Sequence, residues 1–128
     1  MIGTHRILIV DDSRDLLDTF NDFFNSMGYQ VSVAPDGFEA LKLLRNNSLN
    51  HFNLLITDLV MPQISGVGLI TIIKKEFPDL KIIAMTGYGN EPGILATEAQ
   101  ADLVLYKPLD LFKMEKNIAK LLRINTKQ

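Results

Sequence analysis

Arg6-Ile7-Leu8-Ile9-Val10-Asp11-Asp12-Ser13 decides the fold. A short aliphatic run of this kind suits a strand buried on both faces, and it ends abruptly in two carboxylates and a hydroxyl. Beyond it Leu16, Leu17, Phe20, Phe23, Phe24 and Met27 recur at helical spacing until Gly28 supplies a stop signal. The unit is therefore strand, acidic turn, helix. Four further runs read as strands, at residues 30–34, 53–57, 81–85 and 103–106. All but the second are nearly continuous apolar and predict strands covered on both faces, whereas the alternation in Gln30-Val31-Ser32-Val33-Ala34 suits a sheet edge. Asp36-Gly37 opens a second helix carrying Phe38, Leu41 and Leu44. Gly66 precedes a third with Leu69, Ile72, Ile73 and Phe77, closed by Pro78. A fourth, at about 91–99, is disfavoured by Gly87, Gly89, Pro92 and Gly93 nearby. Asp110 caps a last helix with Leu111, Met114, Ile118, Leu121 and Leu122 inward and Lys113, Lys116 and Lys120 outward. The expectation is an α/β fold, a flavodoxin-like (βα)5 doubly wound sandwich with five parallel strands in the order 2-1-3-4-5.

The chain has 128 residues, 47% of them apolar, which fits one domain with a real core and excludes a disordered or low-complexity chain. Thirteen basic against fifteen acidic residues leave a net charge of −2, so direct nucleic-acid binding is not expected. The absence of cysteine rules out disulfides, thiolate zinc sites and cysteine nucleophiles. The apolar run after Arg6 is too short for a secretory signal, and no stretch approaches the roughly 20 apolar residues of a membrane span. A soluble, cytoplasmic protein without a membrane partner is the expectation.

The chemistry lies at the C-terminal ends of the strands. Asp11 and Asp12 come after the first, Asp58 after the third, Thr86 after the fourth and Lys107 after the fifth. In an open parallel sheet these ends share one edge, and ligands gather where the strand order reverses, here between the first and third strands. Three carboxylates converging there need a shared proton or a cation, and hard oxygen donors without His or Cys suit Mg2+. Lys107 adds an ammonium and Thr86 a hydroxyl, so the set could clamp a phosphoryl group, with Asp58 as the candidate nucleophile for an aspartyl phosphate. Each residue taken alone has a plainer explanation: Asp12 and Ser13 as a helix cap, Thr86-Gly87 as a turn, Lys107-Pro108 as a loop, Asp58 as a solvated carboxylate. Their joint placement at four strand ends favours a site. His5 and His51 read as surface residues, Tyr29 and the phenylalanines of the first helix as core, and Asp36, Asp79, Asp102 and Asp110 as turn or cap residues.

These motifs resemble the receiver domain of bacterial two-component response regulators. The resemblance is carried by Ile7-Leu8-Ile9-Val10-Asp11-Asp12, Asp58-Leu59-Val60-Met61-Pro62 with Gly66 after it, Ala84-Met85-Thr86-Gly87-Tyr88-Gly89, and Lys107-Pro108. It implies that Asp58 accepts a phosphoryl group from a sensor histidine kinase or phosphotransfer protein. It further implies that Asp12, Asp58 and the carbonyl of Val60 bind Mg2+, with Asp11 reaching the metal through water. By the same resemblance Lys107 and Thr86 contact the phosphoryl group, and Pro108 follows a cis peptide bond. The fourth helix, fifth strand and fifth helix then form the output face, toward a downstream protein, an output domain in a longer chain or a second copy in a homodimer. The implied role is that of a phosphoacceptor, not an enzyme. The family's switch aromatic, three residues before the lysine, is replaced by Val104, and the nearby Tyr106 shares its strand face. Gln100 stands where the family often has glycine. Val60 and Tyr88, bulky and uncharged at the positions flanking the pocket, imply slow self-dephosphorylation.

Other classes fit less well. A phosphatase working through an aspartyl phosphate typically has an acid two residues after its nucleophile, where this chain has Val60, and a nucleotide or flavin module would lack a glycine-rich phosphate loop. A receiver-like partner-binding module that is not regulated by phosphorylation is the alternative left by Val104. The expected organisation is one receiver domain over 1–128, its core at about 6–122 and residues 123–128 a tail too short for an output domain. Such a chain is either a single-domain regulator or a receiver excised from a longer protein.

Overall fold

A computed structural model describes residues 5–46, 51–61, 63–87 and 99–122. Five strands, β1 (Arg6–Val10), β2 (Gln30–Ala34), β3 (Leu54–Asp58), β4 (Lys81–Thr86) and β5 (Leu103–Tyr106), form one parallel sheet in the order β2-β1-β3-β4-β5. Among the described residues four helices accompany them: α1 (Arg14–Ser26), α2 (Gly37–Asn46), α3 (Gly66–Glu76) and α4 (Leu111–Leu121). The last is the fifth helix of the sequence reading. The expected helix at about 91–99 lies almost wholly outside the described residues.

Alternation along each strand divides the core into two layers. Ile7, Ile9, Leu54, Ile56, Ile83 and Met85 pack against α1 and α4. Leu8, Val10, Leu55, Ile82 and Ala84 pack against α2 and α3. Both layers are closed, and each fully buried aliphatic side chain contributes about 1.5–3 kcal/mol by leaving water. Local signals set the helix ends. Ser13 caps α1 by accepting from the Leu16 N–H, Asp110 caps α4 by accepting from Phe112 and Lys113, and Asp36 accepts from the Glu39 N–H at 2.9 Å. Asp102 likewise ties the turn before β5 to β4, accepting from the Ile82 N–H at 2.8 Å.

Several details differ from the sequence reading. β3 runs one residue later and β4 one residue longer than expected, so Asp58 and Thr86 are the last residues of their strands. β5 is only half-buried, because the strand order makes it the second outer strand. Phe38 is 52% exposed: Gly37, Ala40, Leu41 and Leu44 fill the inner arc of α2, and Phe38 falls to one side of it. Gly66 lies inside α3, whose cap is Ser65.

Candidate functional site

β1 and β3 are neighbours, yet the chain leaves them toward opposite faces of the sheet, which opens a crevice at their C-terminal ends. Asp11 sits there almost fully buried, its N–H donating to the Ala34 carbonyl at 3.2 Å. One Asp11 oxygen accepts from the Ser13 N–H at 2.8 Å, and the other lies 3.4 Å from the Lys107 ammonium. Asp58 closes β3 at 5% exposure, with Oδ1 3.3 Å from Lys107 Nζ. Asp12 is exposed at the rim, and Asp11, Asp12 and Asp58 each offer an oxygen within 4.8 Å of the others.

Thr86 ends β4 fully buried, and its carbonyl accepts from the Lys107 N–H at 2.8 Å, which fixes where the lysine leaves the sheet. The Lys107–Pro108 peptide is cis, in agreement with the sequence reading. Val60 is 46% exposed beside the crevice. Tyr106 is half-exposed and pairs in register with Thr86, while Val104 packs into the α2/α3 layer with Ala99 and Ala101. Tyr88 and Pro62 lie outside the described residues.

Gly66 matters more than its place in the sequence suggests. A Cβ there would run into the carbonyl oxygen of Asp58 and come within 2.6 Å of Leu59 Cα, so α3 starts directly against the backbone that carries Asp58. The Gly66 N–H also donates to the Leu59 carbonyl at 3.1 Å. Neither contact has a sequence signal, because both are made by folded backbone.

Burial and the Asp11 charge raise the affinity of Asp58 for a proton, and Lys107 offsets only part of this. Burial alone would lower the Lys107 ammonium's pKa, but the Asp11 and Asp58 carboxylates outweigh it and hold the proton on. Among the described residues, then, the Lys107 ammonium pairs with two carboxylates of a group of three, which leaves the crevice short of positive charge. A small hard divalent cation fits that donor set: Mg2+ takes oxygen ligands at about 2.0–2.1 Å, so neighbouring ligand oxygens need to close up only modestly from their present spacing. A separate cleft of about 890 Å3, at the opposite ends of the strands between His5, Phe52, Lys74 and Leu122, has no such convergence of carboxylates among the described residues.

Comparison with known proteins agrees with this geometry. The family model for the response regulator receiver domain matches residues 7–119. A probable transcriptional regulator of Cyanophora paradoxa is 34% identical over 95% of this chain and 50% of its own length. The chain spans about half the length of the curated relatives it matches. A CheY-like response regulator receiver domain protein from Methanospirillum hungatei superposes with a TM-score of 0.87 at 32% identity, covering 93% of this chain and 94% of that one. The response regulator TrrA of Thermotoga maritima, solved in complex with Mg2+ and BeF, gives 0.81 at 32% identity over 91% of this chain and 98% of that one. With that match over residues 7–119 and a five-stranded parallel sheet shared with these structures, the chain belongs to the receiver domains of two-component response regulators.

Proposed function

We propose that this receiver takes a phosphoryl group onto Asp58 from the phosphohistidine of a sensor histidine kinase or phosphotransfer protein. The observation that carries the reading is the placement of Asp58: nearly buried at the switch point, 3.3 Å from Lys107 and grouped with Asp11 and Asp12. A carboxylate oxygen of Asp58 attacks phosphorus, the phosphorus–nitrogen bond breaks and its electron pair leaves with the imidazole. Lys107 then pairs with the phosphoryl oxygens in place of a bare carboxylate, and the Thr86 hydroxyl donates to them.

Asp11, Asp12, Asp58 and the Val60 carbonyl would hold Mg2+, which when bound neutralises charge on the carboxylates and the transferring phosphoryl oxygens. Asp11 is already held by Ser13 and Lys107, so its contribution is orientation and charge more than reach. Phosphorylation would shift the face that contains β5 and α4, and so control a downstream protein or an output domain in a longer chain. The length of the relatives supports the second arrangement. The unit is a phosphoacceptor that assists its own reactions, works in the cytoplasm and makes no direct contact with nucleic acid or membrane. Among the described residues no helix is long and apolar enough to cross a membrane.

The test is incubation with Mg2+ and acetyl phosphate followed by intact-mass measurement. Wild type is expected to gain one phosphoryl group, and both Asp58→Asn and wild type in excess EDTA to gain none. No gain in wild type with any small phosphodonor or histidine phosphodonor would overturn the reading.

A further inference from the structure

β2 is an outer strand of the sheet, and its backbone polar groups divide between two sides. The Gln30 N–H donates to the His5 carbonyl at 2.9 Å and the Ala34 carbonyl accepts from the Asp11 N–H at 3.2 Å, so residues 30, 32 and 34 turn their polar groups toward β1. With a period of two, Val31 and Val33 turn theirs outward. Those two N–H and two C=O groups have no partner among the described residues.

Proteins guard such edges with a charged side chain, a proline or a bulge. Gln30-Val31-Ser32-Val33-Ala34 has no charge and no proline, and all five residues pair with β1 in unbroken register. The helices beside the edge are balanced in charge there. Phe23 marks the flank of α1 that faces α4, through its contact with Phe112. At about 100° per residue, Arg14, Asp18, Asn21 and Asn25 fall within about 40° of the opposite flank, the one beside β2. Arg14 pairs with Asp18 at 3.3 Å and Asn25 donates to Asn21 at 3.0 Å, which leaves that flank formally neutral. On α2, exposed Glu39 pairs with Lys42 at 3.6 Å.

We propose that the β2 edge pairs with the β2 edge of a second copy of this chain, antiparallel, about a two-fold axis normal to the sheet at Ser32. Val31 and Val33 lie symmetrically on either side of Ser32, so the outward groups of Val31 meet those of Val33 in the other copy, and the reverse. All the outward groups are then satisfied, by four hydrogen bonds in two closely spaced pairs. Side chains match as well. Val31 stands opposite Val33 on the α1 face, while the two Ser32 residues meet on the α2 face as a non-hydrogen-bonded pair, with Cα atoms about 4.5 Å apart and hydroxyls within reach of each other. A slip of one residue would set inward-facing groups against outward ones. A slip of two would leave one valine facing Tyr29 or Pro35, outside the strand. The two Asp58 crevices open in opposite directions in this arrangement, so the pairing is independent of phosphoryl chemistry. The contact is narrow, which places it in the weak class, with a dissociation constant on the order of 100 μM.

The chain has no cysteine, so single introduced thiols report the register. Under mild oxidation Ser32→Cys is expected to form a disulfide dimer at least about tenfold faster than Gln30→Cys. The two Ser32 positions lie within the roughly 7 Å that a disulfide spans between Cα atoms, whereas the two Gln30 positions are about 13 Å apart along the strands. Sedimentation velocity at about 500 μM is expected to show a monomer–dimer mixture for wild type and monomer for Ser32→Lys, which sets two ammoniums at the axis, with circular dichroism confirming that the variant is folded. Equal crosslinking rates for the two cysteine variants would overturn the proposal. So would a wild type that stays monomeric, or a folded Ser32→Lys variant that dimerises as wild type does.

Discussion

Gly66 and Gly68 stand two residues apart in the first turn of α3, and opposite effects are expected when each is replaced by alanine. At Gly66 the new methyl meets Asp58 and Leu59 backbone atoms, the Leu59 Cα at 2.6 Å and the Asp58 carbonyl carbon at 3.0 Å. Backbone cannot rotate out of the way as a side chain can, so the helix start or the end of β3 must shift. Overpacking usually costs 1–3 kcal/mol, and a clash with main chain belongs at the upper end, about 3 kcal/mol. At Gly68 the nearest atoms are Ser65 Oγ at 3.4 Å and Ile64 Cγ2 at 3.6 Å, which is ordinary contact, and the Gly68 N–H to Ser65 Oγ hydrogen bond is kept. Alanine there removes backbone freedom from the unfolded chain and is expected to stabilise by about 0.5–1 kcal/mol. With unfolding entropy scaling with chain length, a 128-residue chain loses about 11 °C in Tm for Gly66→Ala and gains about 2–4 °C for Gly68→Ala. Urea melts followed by circular dichroism give both values, with unchanged m showing that native stability moved. A Gly66→Ala loss under about 1 kcal/mol would refute the close approach of α3 to the Asp58 backbone. Equal losses at both positions would show that the effect is generic to glycine.

Three further outcomes are expected of the site and its surroundings. Because the folded state raises the Asp58 pKa, ionising this group costs native stability above the folded value and nothing once both states are protonated. In metal-free buffer Asp58→Asn is therefore expected to be more stable than wild type at pH 7, with the gain fading as pH falls through the folded pKa; a variant less stable than wild type at pH 7 would contradict this. Gln100 is held at φ 76°, a conformation that glycine adopts at no steric cost, so Gln100→Gly is expected to raise stability by about 0.5–1 kcal/mol in the same urea melts. Val60 is half-exposed beside Asp58, and replacing it with asparagine adds a polar group that can orient water. Val60→Asn is expected to shorten the half-life of the phosphorylated protein severalfold in a mass-based decay assay, and an unchanged rate would remove Val60 as a barrier to hydrolysis.

The sheet is legible in the sequence because its strands are short aliphatic runs bounded by helix signals, and a parallel sheet with right-handed crossovers leaves few strand orders. Three of the five strand spans coincide with the reading, and the shifts at β3 and β4 move Asp58 and Thr86 from loops into strand ends. That small change matters, since a strand end fixes backbone direction and buries the side chain. The second edge is not legible: Leu103-Val104-Leu105-Tyr106 is as apolar as a central strand, and only the sheet order reveals that one side is open. Phe38 reads as inward on residue type, but four smaller neighbours on α2 already fill the inner arc. The acids, Thr86 and Lys107 can be named from their positions at the strand ends. Their charge balance cannot, because it depends on Lys107 lying within 3.4 Å of two carboxylates and on how deeply each is buried. The packing of Gly66 on the Asp58 backbone is likewise a property of the folded chain alone.

The claim that Asp58 is the phosphoryl acceptor is tested most directly by locating the modification. After brief incubation with Mg2+ and a phosphodonor, borohydride reduces an acyl phosphate to an alcohol, leaving a stable mark on the residue that carried it. Peptide mass spectrometry is expected to find homoserine at position 58 and unaltered aspartate at Asp11 and Asp12, with no mark when the donor is omitted. A mark on Asp11 or Asp12, or a phosphorylated protein with residue 58 unchanged, would contradict the account.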